Sequence, residues 1–235
     1  MLRKLALGVL LVASLFFALA SSVEGANDPR STVYLIQDPV TRGNGSGVLI
    51  NDGIMLTAAH VAVRQVWDQE VNDLVWKPNY DLKVVTDAGL YLDFEVIVFD
   101  VERDIALIRV NLACPCAEFA ADLPDVDSEV SVVGFPLHGI MGVEIQTKGF
   151  FQGVHKDTLK IITTAPLIFG NSGGGVFNSD GDLIGIVSAL AVAGGTFGGG
   201  TPITHLNFSV SIDTIKEFLS PKFDSEEVDT RTYFP

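Results

Sequence analysis

Short apolar runs separated by turn residues recur from about residue 33 to residue 212, and this pattern most limits the folds open to the chain. The runs are rich in β-branched side chains, with Gly, Asn and Asp between them, which favours strands over helices. They are Val33–Ile36, Gly47–Ile50, Phe94–Phe99, Ile105–Val110, Val130–Val133, Leu159–Thr163 and Leu183–Val187. The sequences Asn51–Gly53 and Ser179–Gly181 are typical of tight hairpin turns. Many short strands at close spacing predict an all-β barrel or sandwich.

Two segments depart from the strand pattern. Ala58–Val63 predicts one short helical turn. Asp213–Leu219 predicts a terminal helix, capped by Ser211 or by its own first residue, with Pro221 beyond its end. The acids that follow, within residues 221–235, predict a loosely ordered tail.

The segments between the strands divide the chain into two halves. Residues 111–127 carry two prolines and several acids, and they are predicted to connect a first β half at about 30–112 to a second at about 125–212. Together the halves make one predicted domain over about 30–220. Residues 191–201 are rich in glycine and predict a loop, because a phosphate cradle would need a helix directly after it.

The first twenty residues are typical of a secretory signal. Arg3 and Lys4 form a short basic region, an uncharged apolar run follows to Ala20, and the small residues Ala18 and Ala20 have the spacing that signal peptidases read. We expect cleavage after Ala20, or else after Gly25, and hence a secreted or periplasmic protein. The alternative is an uncleaved membrane anchor that faces outside the cytoplasm, although the run is slightly short of the roughly 20 residues of a full span.

Charge and cysteine content exclude several classes of function. The net charge is −14, and loss of the predicted signal makes it −16, since two basic residues and no acid leave with it. Such a protein is repelled by phosphate backbones, so we expect no nucleic-acid partner and no membrane contact apart from the alternative anchor. Cys114 and Cys116 are too few for a disulfide scaffold or a four-ligand zinc site. They form a local bridge or remain two thiols.

Gly170–Gly175 reads Gly-Asn-Ser-Gly-Gly-Gly and places one serine in a glycine-rich turn. A serine hydroxyl becomes an effective nucleophile when a base takes its proton and hydrogen-bond donors stabilise the oxyanion that forms on the substrate. Glycines on both sides let the backbone turn sharply and aim N–H groups into one small space. Ser172 is therefore a candidate nucleophile. The backbone N–H groups of Gly170 and Ser172, with the adjacent Asn171, are the candidate oxyanion hole. The alternative is an ordinary serine in a flexible turn.

His60 and Asp104 supply the other two groups that this chemistry needs. His60 follows small residues at the end of an apolar run, where its ring can act as a general base. Asp104 directly precedes an apolar run, and a partly buried carboxylate there must be paired, for instance with a histidine Nδ1–H. Asp100, which ends the preceding run, is the rival acid. Taken singly, His60 also fits a surface or core-edge histidine, and Asp104 also fits a turn residue.

The chain order of His60, Asp104 and Ser172, spread over two β halves, is the order used by the chymotrypsin class. With its surrounding motifs the chain resembles the trypsin-like serine proteases, and among them the HtrA (Deg) protease domain. The resemblance covers roughly residues 30–220 and is carried by Gly45–Ile50, Leu56–Val61, Asp104–Ile108, Val133–Pro136, Gly170–Gly174, Leu183–Ile186 and Asn207–Val210. It implies two packed six-stranded antiparallel β-barrels with a short C-terminal helix. It also implies a serine endopeptidase that acts on polypeptides, needs no metal or organic cofactor, and leaves an oligomer open.

The chain departs from these relatives at three points. Phe169 stands where the HtrA family usually has proline before the Gly-Asn-Ser segment. Val61 follows the histidine, where the animal digestive proteases have cysteine. Only a short acidic tail follows the predicted helix, so we expect no PDZ domain and no regulation through such a module.

The resemblance also implies where the substrate side chain binds. One wall of the pocket would be Ala165, Pro166, Leu167 and Ile168, and the other would be Val187, Ser188, Ala189 and Leu190, with Phe208 near the base. These segments carry no charge, and an apolar pocket cannot neutralise a lysine or arginine side chain. We therefore expect a preference for small or medium aliphatic P1 residues. The edge at residues 188–190 is expected to pair with an extended substrate.

Three rival functions can be compared with the sequence. An α/β-hydrolase would use Ser172 with Asp180 and His205, but it needs a helix directly after the serine. The three glycines that follow would destabilise the first turn of such a helix by about 1 kcal/mol each. A catalytically silent relative could keep the protease fold as a binding module. A metalloprotease is not supported, because the histidines do not form H-E-x-x-H. They are His60, His138, His155 and His205, of which His138 is expected in a loop near the cleft.

Overall fold

The computed structural model describes residues 28–137, 142–193 and 201–223, and strands dominate this part of the chain. The strands are β1 (Val33–Gln37), β2 (Asn44–Asn51), β3 (Ile54–Thr57), β4 (Val63–Asp68), β5 (Asp73–Pro78), β6 (Lys83–Val85), β7 (Tyr91–Leu92), β8 (Phe94–Asp100), β9 (Ile105–Val110), β10 (Glu129–Gly134), β11 (Ile145–Val154), β12 (Lys160–Thr163), β13 (Gly175–Phe177), β14 (Leu183–Ala193) and β15 (Thr201–Ser211). A 3-10 turn (Pro29–Thr32) and the helices α1 (Ala59–Ala62) and α2 (Ile212–Phe223) accompany them. The predicted signal, His138, most of the glycine-rich loop and the tail beyond residue 223 lie outside the described residues.

The first half is an antiparallel sheet of seven strands in the order β7-β6-β1-β2-β3-β9-β8. Side chains alternate between its two faces, so that Ile36 and Leu49 pack into the half's own core while Val33 and Val48 pack toward the second half. Because both faces are covered, these strands read as continuous apolar runs. The sheet is a half-barrel rather than the predicted closed six-stranded barrel, since no pairing joins β7 to β8 within residues 28–137.

The second half is a closed antiparallel barrel in the order β10-β11-β12-β15-β14-β13, which confirms the predicted six strands. Its interior is filled by apolar side chains from several strands, including Val130, Val132, Ile161, Val176 and Ile184. The mostly β architecture of two halves with a terminal helix is therefore confirmed.

One hydrophobic cluster joins the two halves and the terminal helix. It contains Leu56 from the first half, Phe177 and Leu183 from the second, and Ile215 and Phe218 from α2. The cleft that holds the candidate site follows from this packing, because the end of β3 and the start of β9 are brought against the loop that precedes β13.

The local predictions for turns and helices hold with one difference. Gly53 and Gly181 have φ of 69° and 89°, which the two predicted hairpin turns require. The Ser211 hydroxyl accepts a hydrogen bond from the backbone N–H of Thr214 at 3.2 Å, which confirms Ser211 as the N-cap of α2. The helix continues through Pro221 to residue 223 instead of ending before it. A proline removes one N–H donor from a helix but does not forbid a last turn after it.

The connection between the halves carries the cysteines. Cys114 and Cys116 are bonded to each other, and the backbone N–H of Cys114 donates to the Asp52 carboxylate at 2.9 Å. Within the described residues these three side chains are also the one group with metal-ligand spacing, but the two sulfurs are already joined. No helix in the described part is long and apolar enough to cross a membrane.

Candidate active site

His60 lies on helix α1, which begins just after strand β3 ends at the cleft. Its Nδ1 is 2.9 Å from Asp104 Oδ1 and 3.0 Å from Oδ2, and its backbone N–H also donates to Oδ1 at 3.1 Å. Because a carboxylate only accepts, Nδ1 carries the proton and Nε2 is left as an acceptor. The His60 side chain is 50% exposed and that of Asp104 only 16%, so the ring faces the cleft and the acid is covered.

Asp104 occupies the turn between β8 and β9 in a left-handed conformation, with φ of 61°. Aspartate tolerates this region better than most residues. Burial acts to raise the pKa of its carboxyl. It is outweighed by the hydrogen bond from the His60 ring, by the charge that this ring carries when protonated, and by hydrogen bonds from the Ser188 hydroxyl and the His60 backbone N–H. The pKa of Asp104 is therefore below its ordinary value, and the group is a carboxylate at neutral pH.

Ser188 provides the second contact to this carboxylate. Its hydroxyl donates to Asp104 Oδ2 at 2.5 Å, and the residue is almost fully buried. The pairing of β14 with β15 slips between Val187 and Ala189, so Ser188 is the extra residue of a β-bulge. Bulges redirect side chains next to active sites. Here the bulge turns toward Asp104 a serine that the sequence suggested only as a pocket wall.

Ser172 sits in a turn whose neighbouring glycines both have positive φ, 102° at Gly170 and 83° at Gly173. Other residues avoid this region, so the turn depends on glycine. The turn is tied to both halves, because Ser46 donates its N–H to the Ser172 carbonyl and Gly173 donates its N–H to the Val187 carbonyl, each at 2.8 Å. The serine is thus held at the junction of the two β units.

The N–H groups around Ser172 differ in their partners. The N–H of Asn171 donates to the Ile168 carbonyl at 3.2 Å. Within the described residues no hydrogen bond uses the N–H of Gly170 or of Ser172. Of the three candidate oxyanion donors, these two are therefore without an acceptor in this part of the chain.

The turn is anchored at its entrance although Phe169 replaces the usual proline. The Phe169 carbonyl accepts the N–H of Leu137 at 2.9 Å, and its ring is largely exposed. The Ser46 hydroxyl donates to the Gly170 carbonyl at 2.8 Å. Hydrogen bonds from the segment after β10 and from β2 thus hold the backbone path that a proline would otherwise restrict.

The histidine and the serine approach each other through their backbones. A methyl group built on Gly173 would lie 2.3 Å from Thr57 Oγ1 and 3.0 Å from the Ala58 nitrogen, so the turn packs directly against the residues that lead to His60. Among the described residues no hydrogen bond joins the His60 ring to the Ser172 hydroxyl. Such catalytic bonds are often long without substrate and tighten when it binds.

A family model described as a trypsin-like peptidase domain matches residues 45–186. This chain belongs to the trypsin-like peptidase family. The mitochondrial serine protease HTRA2 of Drosophila virilis is 29% identical over 203 residues, which is 82% of this chain and 42% of that protein. The HTRA2 of Drosophila persimilis is 27% identical over 202 residues, again 82% of this chain and 42% of its own length. The predicted resemblance to the HtrA protease domain is confirmed.

Solved structures show the same fold. The serine endoprotease from Yersinia pestis superposes with a TM-score of 0.64 at 19% identity, covering 84% of this chain and 66% of that one. An HtrA-type protease, AlgW, solved with a tripeptide, gives a TM-score of 0.62 at 22% identity over 81% of this chain and 60% of its own. The chain spans less than half the length of the curated relatives it matches.

The predicted pocket residues of this trypsin-like domain divide by exposure. The buried ones are Ala165, Leu167, Val187 and Ser188, and the exposed ones are Pro166, Ile168 and Ala189. Phe208 is half-buried, and its ring stands edge-on to the His155 ring, with 5.9 Å between the ring centroids. The side chain of Leu190 lies outside the described residues. The two walls therefore present some of the predicted apolar surface to solvent and bury the rest in the second barrel.

Behind the first wall lies a polar group that sequence reasoning missed. Asn207 is fully buried, and its amide nitrogen donates to the Ala165 carbonyl, which fixes the start of that wall. The Asn207 Oδ1, Thr163 Oγ1 and Ser209 Oγ atoms are buried and have no hydrogen-bond partner among the described residues. The signal in the sequence was a polar pair, Asn207 and Ser209, at alternate positions of strand β15, which places both on one face of that strand.

Proposed function

We propose that this chain is a serine endopeptidase in which Ser172 is the nucleophile, His60 the general base and Asp104 the acid that orients it. The observation that carries the proposal is the covered Asp104 carboxylate, whose two oxygens lie 2.9 and 3.0 Å from His60 Nδ1. The glycine-rich turn that holds Ser172 packs against Thr57 and Ala58, which lead to this histidine. This arrangement leaves Nε2 of the ring as the acceptor on the cleft side.

The reaction follows from these groups. Ser172 Oγ attacks the scissile carbonyl carbon while His60 Nε2 takes its proton, and the imidazolium is stabilised by Asp104. The ring then gives the proton to the leaving amine, and water repeats the sequence on the acyl-enzyme. The N–H groups of Gly170 and Ser172 would hold the oxyanion, and loss of one such donor typically lowers the rate about 10²- to 10³-fold.

An extended polypeptide suits the edge beside this site. Strand β13 pairs with β14 only as far as Ile186, whereas β15 pairs with β14 on its other side as far as Ala193. Within the described residues the edge of β14 after Val187 is therefore unpaired, and a substrate strand would add to it by main-chain hydrogen bonds. We extend the proposal to a secreted or periplasmic location, or an anchored form facing outside the cytoplasm, on the strength of residues 1–20.

The test is active-site labelling of the purified protein with a fluorophosphonate probe, together with cleavage of casein. We expect labelling of the wild type, because the probe reports a serine whose hydroxyl is activated by a base. Ser172→Ala and His60→Ala should both lose the label. A wild-type protein that folds but neither labels nor cleaves casein would instead support a binding module, for which the absent hydrogen bond between His60 and Ser172 would be the structural reason.

The P1 residue is expected to be small or aliphatic. Neither wall of the proposed pocket carries a charged side chain, and burying a lysine or arginine against them would leave its charge unpaired. A peptide library should therefore be cut after residues such as Ala, Val or Leu at least about tenfold better than after Lys or Arg, since a desolvated unpaired charge costs well over about 1.4 kcal/mol. Strict selection of Lys or Arg would refute this preference.

A further inference from the structure

A lysine lies directly behind the Asp104–His60 pair. Lys160, the first residue of β12, donates from Nζ to the Ser188 hydroxyl oxygen at 2.7 Å. The same oxygen is the donor to Asp104 Oδ2 at 2.5 Å. A continuous chain of contacts therefore runs from the ammonium through one hydroxyl to the carboxylate and on to the imidazole.

The chemistry of the hydroxyl gives this chain a direction. A serine oxygen has one proton to donate and lone pairs to accept with, whereas an ammonium can only donate. Contact with Lys160 therefore occupies a lone pair of Ser188 and leaves its single proton for Asp104. The lysine fixes Ser188 as a donor to the carboxylate, and it also places a positive charge one hydroxyl away.

The strand pattern explains why a lysine can stand at this position. Ile161 and Thr163 point into the barrel and are fully buried, so Lys160 points outward and is half-buried. The bulge in β14 then brings the Ser188 hydroxyl within hydrogen-bond distance of the Lys160 ammonium. Neither element alone would create the contact.

We propose that Lys160 is a positioning residue that holds Asp104 through Ser188 and keeps His60 unprotonated to lower pH than the Asp104–His60 pair alone would. This inference rests on the proposed function for its effect on rate. The positive charge weakens the hold of the carboxylate on the imidazolium, so the ring loses its proton more readily. Activity then extends further into the acid range.

The two arginines nearest this network in the chain already have carboxylate partners. Arg103, next to Asp104 in the chain, pairs with Glu217 of α2 at 2.7 Å and with Asp100 at 3.8 Å. Arg64, after α1, pairs with Asp81 at 2.5 Å. His155 precedes β12, donates its backbone N–H to the Lys160 carbonyl and lies against Phe208. Lys160 is thus the cation whose ammonium reaches the Asp104 contact network in the described residues.

The experiment follows the His60 ring resonances by NMR as pH is varied, in a Ser172→Ala background, so that it does not depend on catalysis. Lys160→Met should move the midpoint of that titration to higher pH by about 0.5 unit, the size expected for a partly solvated charge at this range. Lys160→Arg should restore the wild-type midpoint, because it keeps a cationic donor. Lys156→Met removes an exposed charge from the same hairpin and serves as the matched control, with no shift expected.

Kinetics on the Ser172 enzyme supply a second readout. The acid limb of the kcat/KM profile should move by the same amount in Lys160→Met, which lowers the rate about threefold on that limb. In a Ser188→Ala background, Lys160→Met should shift the acid limb much less than it does in the wild-type background. The effects of two residues that act through one contact are not additive. If Lys160→Met does not fold, Lys160→Gln tests the same point.

The outcomes separate this inference from the proposed function. A midpoint that does not move in Lys160→Met overturns the role of Lys160, whether or not the enzyme is active. A shifted midpoint in a protein that never labels with fluorophosphonate supports the role of Lys160 and contradicts the endopeptidase. Equal shifts in Lys160→Met and Lys156→Met would assign the effect to net charge and would also overturn the inference.

Discussion

Replacing Asp104 with asparagine is expected to lower kcat for peptide cleavage about 10⁴-fold near neutral pH. The carboxylate now accepts from His60 Nδ1 and from Ser188 at the same time. An asparagine has one acceptor oxygen, and its NH₂ group would favour the ring tautomer with the proton on Nε2, facing Ser172. Ser172, the proposed nucleophile, would then lack a base. Steady-state kinetics with an active-site count would measure the loss.

Asp100→Asn is the matched control, since Asp100 was the rival acid. Its Oδ1 accepts the backbone N–H groups of Glu102 and Arg103, both at 3.0 Å, and an asparagine oxygen can accept them equally. We expect kcat to stay within about threefold of wild type, as for other substitutions outside the reacting groups that keep their local contacts. A loss of about 10⁴-fold in Asp100→Asn with an active Asp104→Asn protein would exchange the two assignments.

Asp104→Asn is also expected to change how the stability of the fold depends on pH. The pKa of Asp104 is lower in the folded protein than its ordinary value, so ionisation of this group stabilises the fold. That contribution is fully present above the ordinary pKa of an aspartate. It is lost as the pH falls through the lower pKa that Asp104 has in the folded protein. Urea unfolding of wild type and Asp104→Asn should therefore differ most above about pH 4 and converge in stronger acid, where the wild-type carboxyl is protonated.

The groups of the proposed site could be picked out in the sequence because each of them stands in a local sequence pattern. The serine lies between glycines, which alone adopt the positive φ found at Gly170 and Gly173 without strain. His60 follows one apolar run and Asp104 precedes another, and the two runs are the paired strands β3 and β9, so both residues come to one edge of the sheet. The second barrel was predictable for the same reason, since its strands and hairpin turns are set by residues close in sequence.

What could not be predicted depends on contacts between distant segments. The slip in pairing that makes Ser188 a bulge residue arises where β14 meets β15, and no local motif marks it. The contact of Lys160 with Ser188 needs that bulge and the outward face of β12 together. The first half was predicted as a closed barrel, but closure depends on whether the short edge strand β7 reaches β8, which the apolar pattern of each strand does not contain.

Gly173→Ala is expected to lower the free energy of unfolding by about 2–5 kcal/mol and to abolish fluorophosphonate labelling. An alanine at the φ of 83° found here costs roughly 1–2 kcal/mol on its own. The added methyl would also lie 2.1 Å from the Ser46 carbonyl oxygen and 2.3 Å from Thr57 Oγ1, so the backbone must move, at a further cost of about 1–3 kcal/mol. Movement would break the bond from Gly173 to Val187 and displace Ser172.

Gly89→Ala separates the clash from the backbone strain. Gly89 has a similar φ of 76°, but a methyl group there would meet nothing within 4 Å. Gly89→Ala should therefore lower the free energy of unfolding only by the roughly 1–2 kcal/mol that a left-handed backbone costs an alanine, and it should leave labelling intact. Urea midpoints and labelling rates of the two variants would be compared directly. Equal losses of stability, or a Gly173→Ala protein that labels like wild type, would show that the turn tolerates a side chain at 173. Close packing against Ser46 would then not be what holds Ser172 in place.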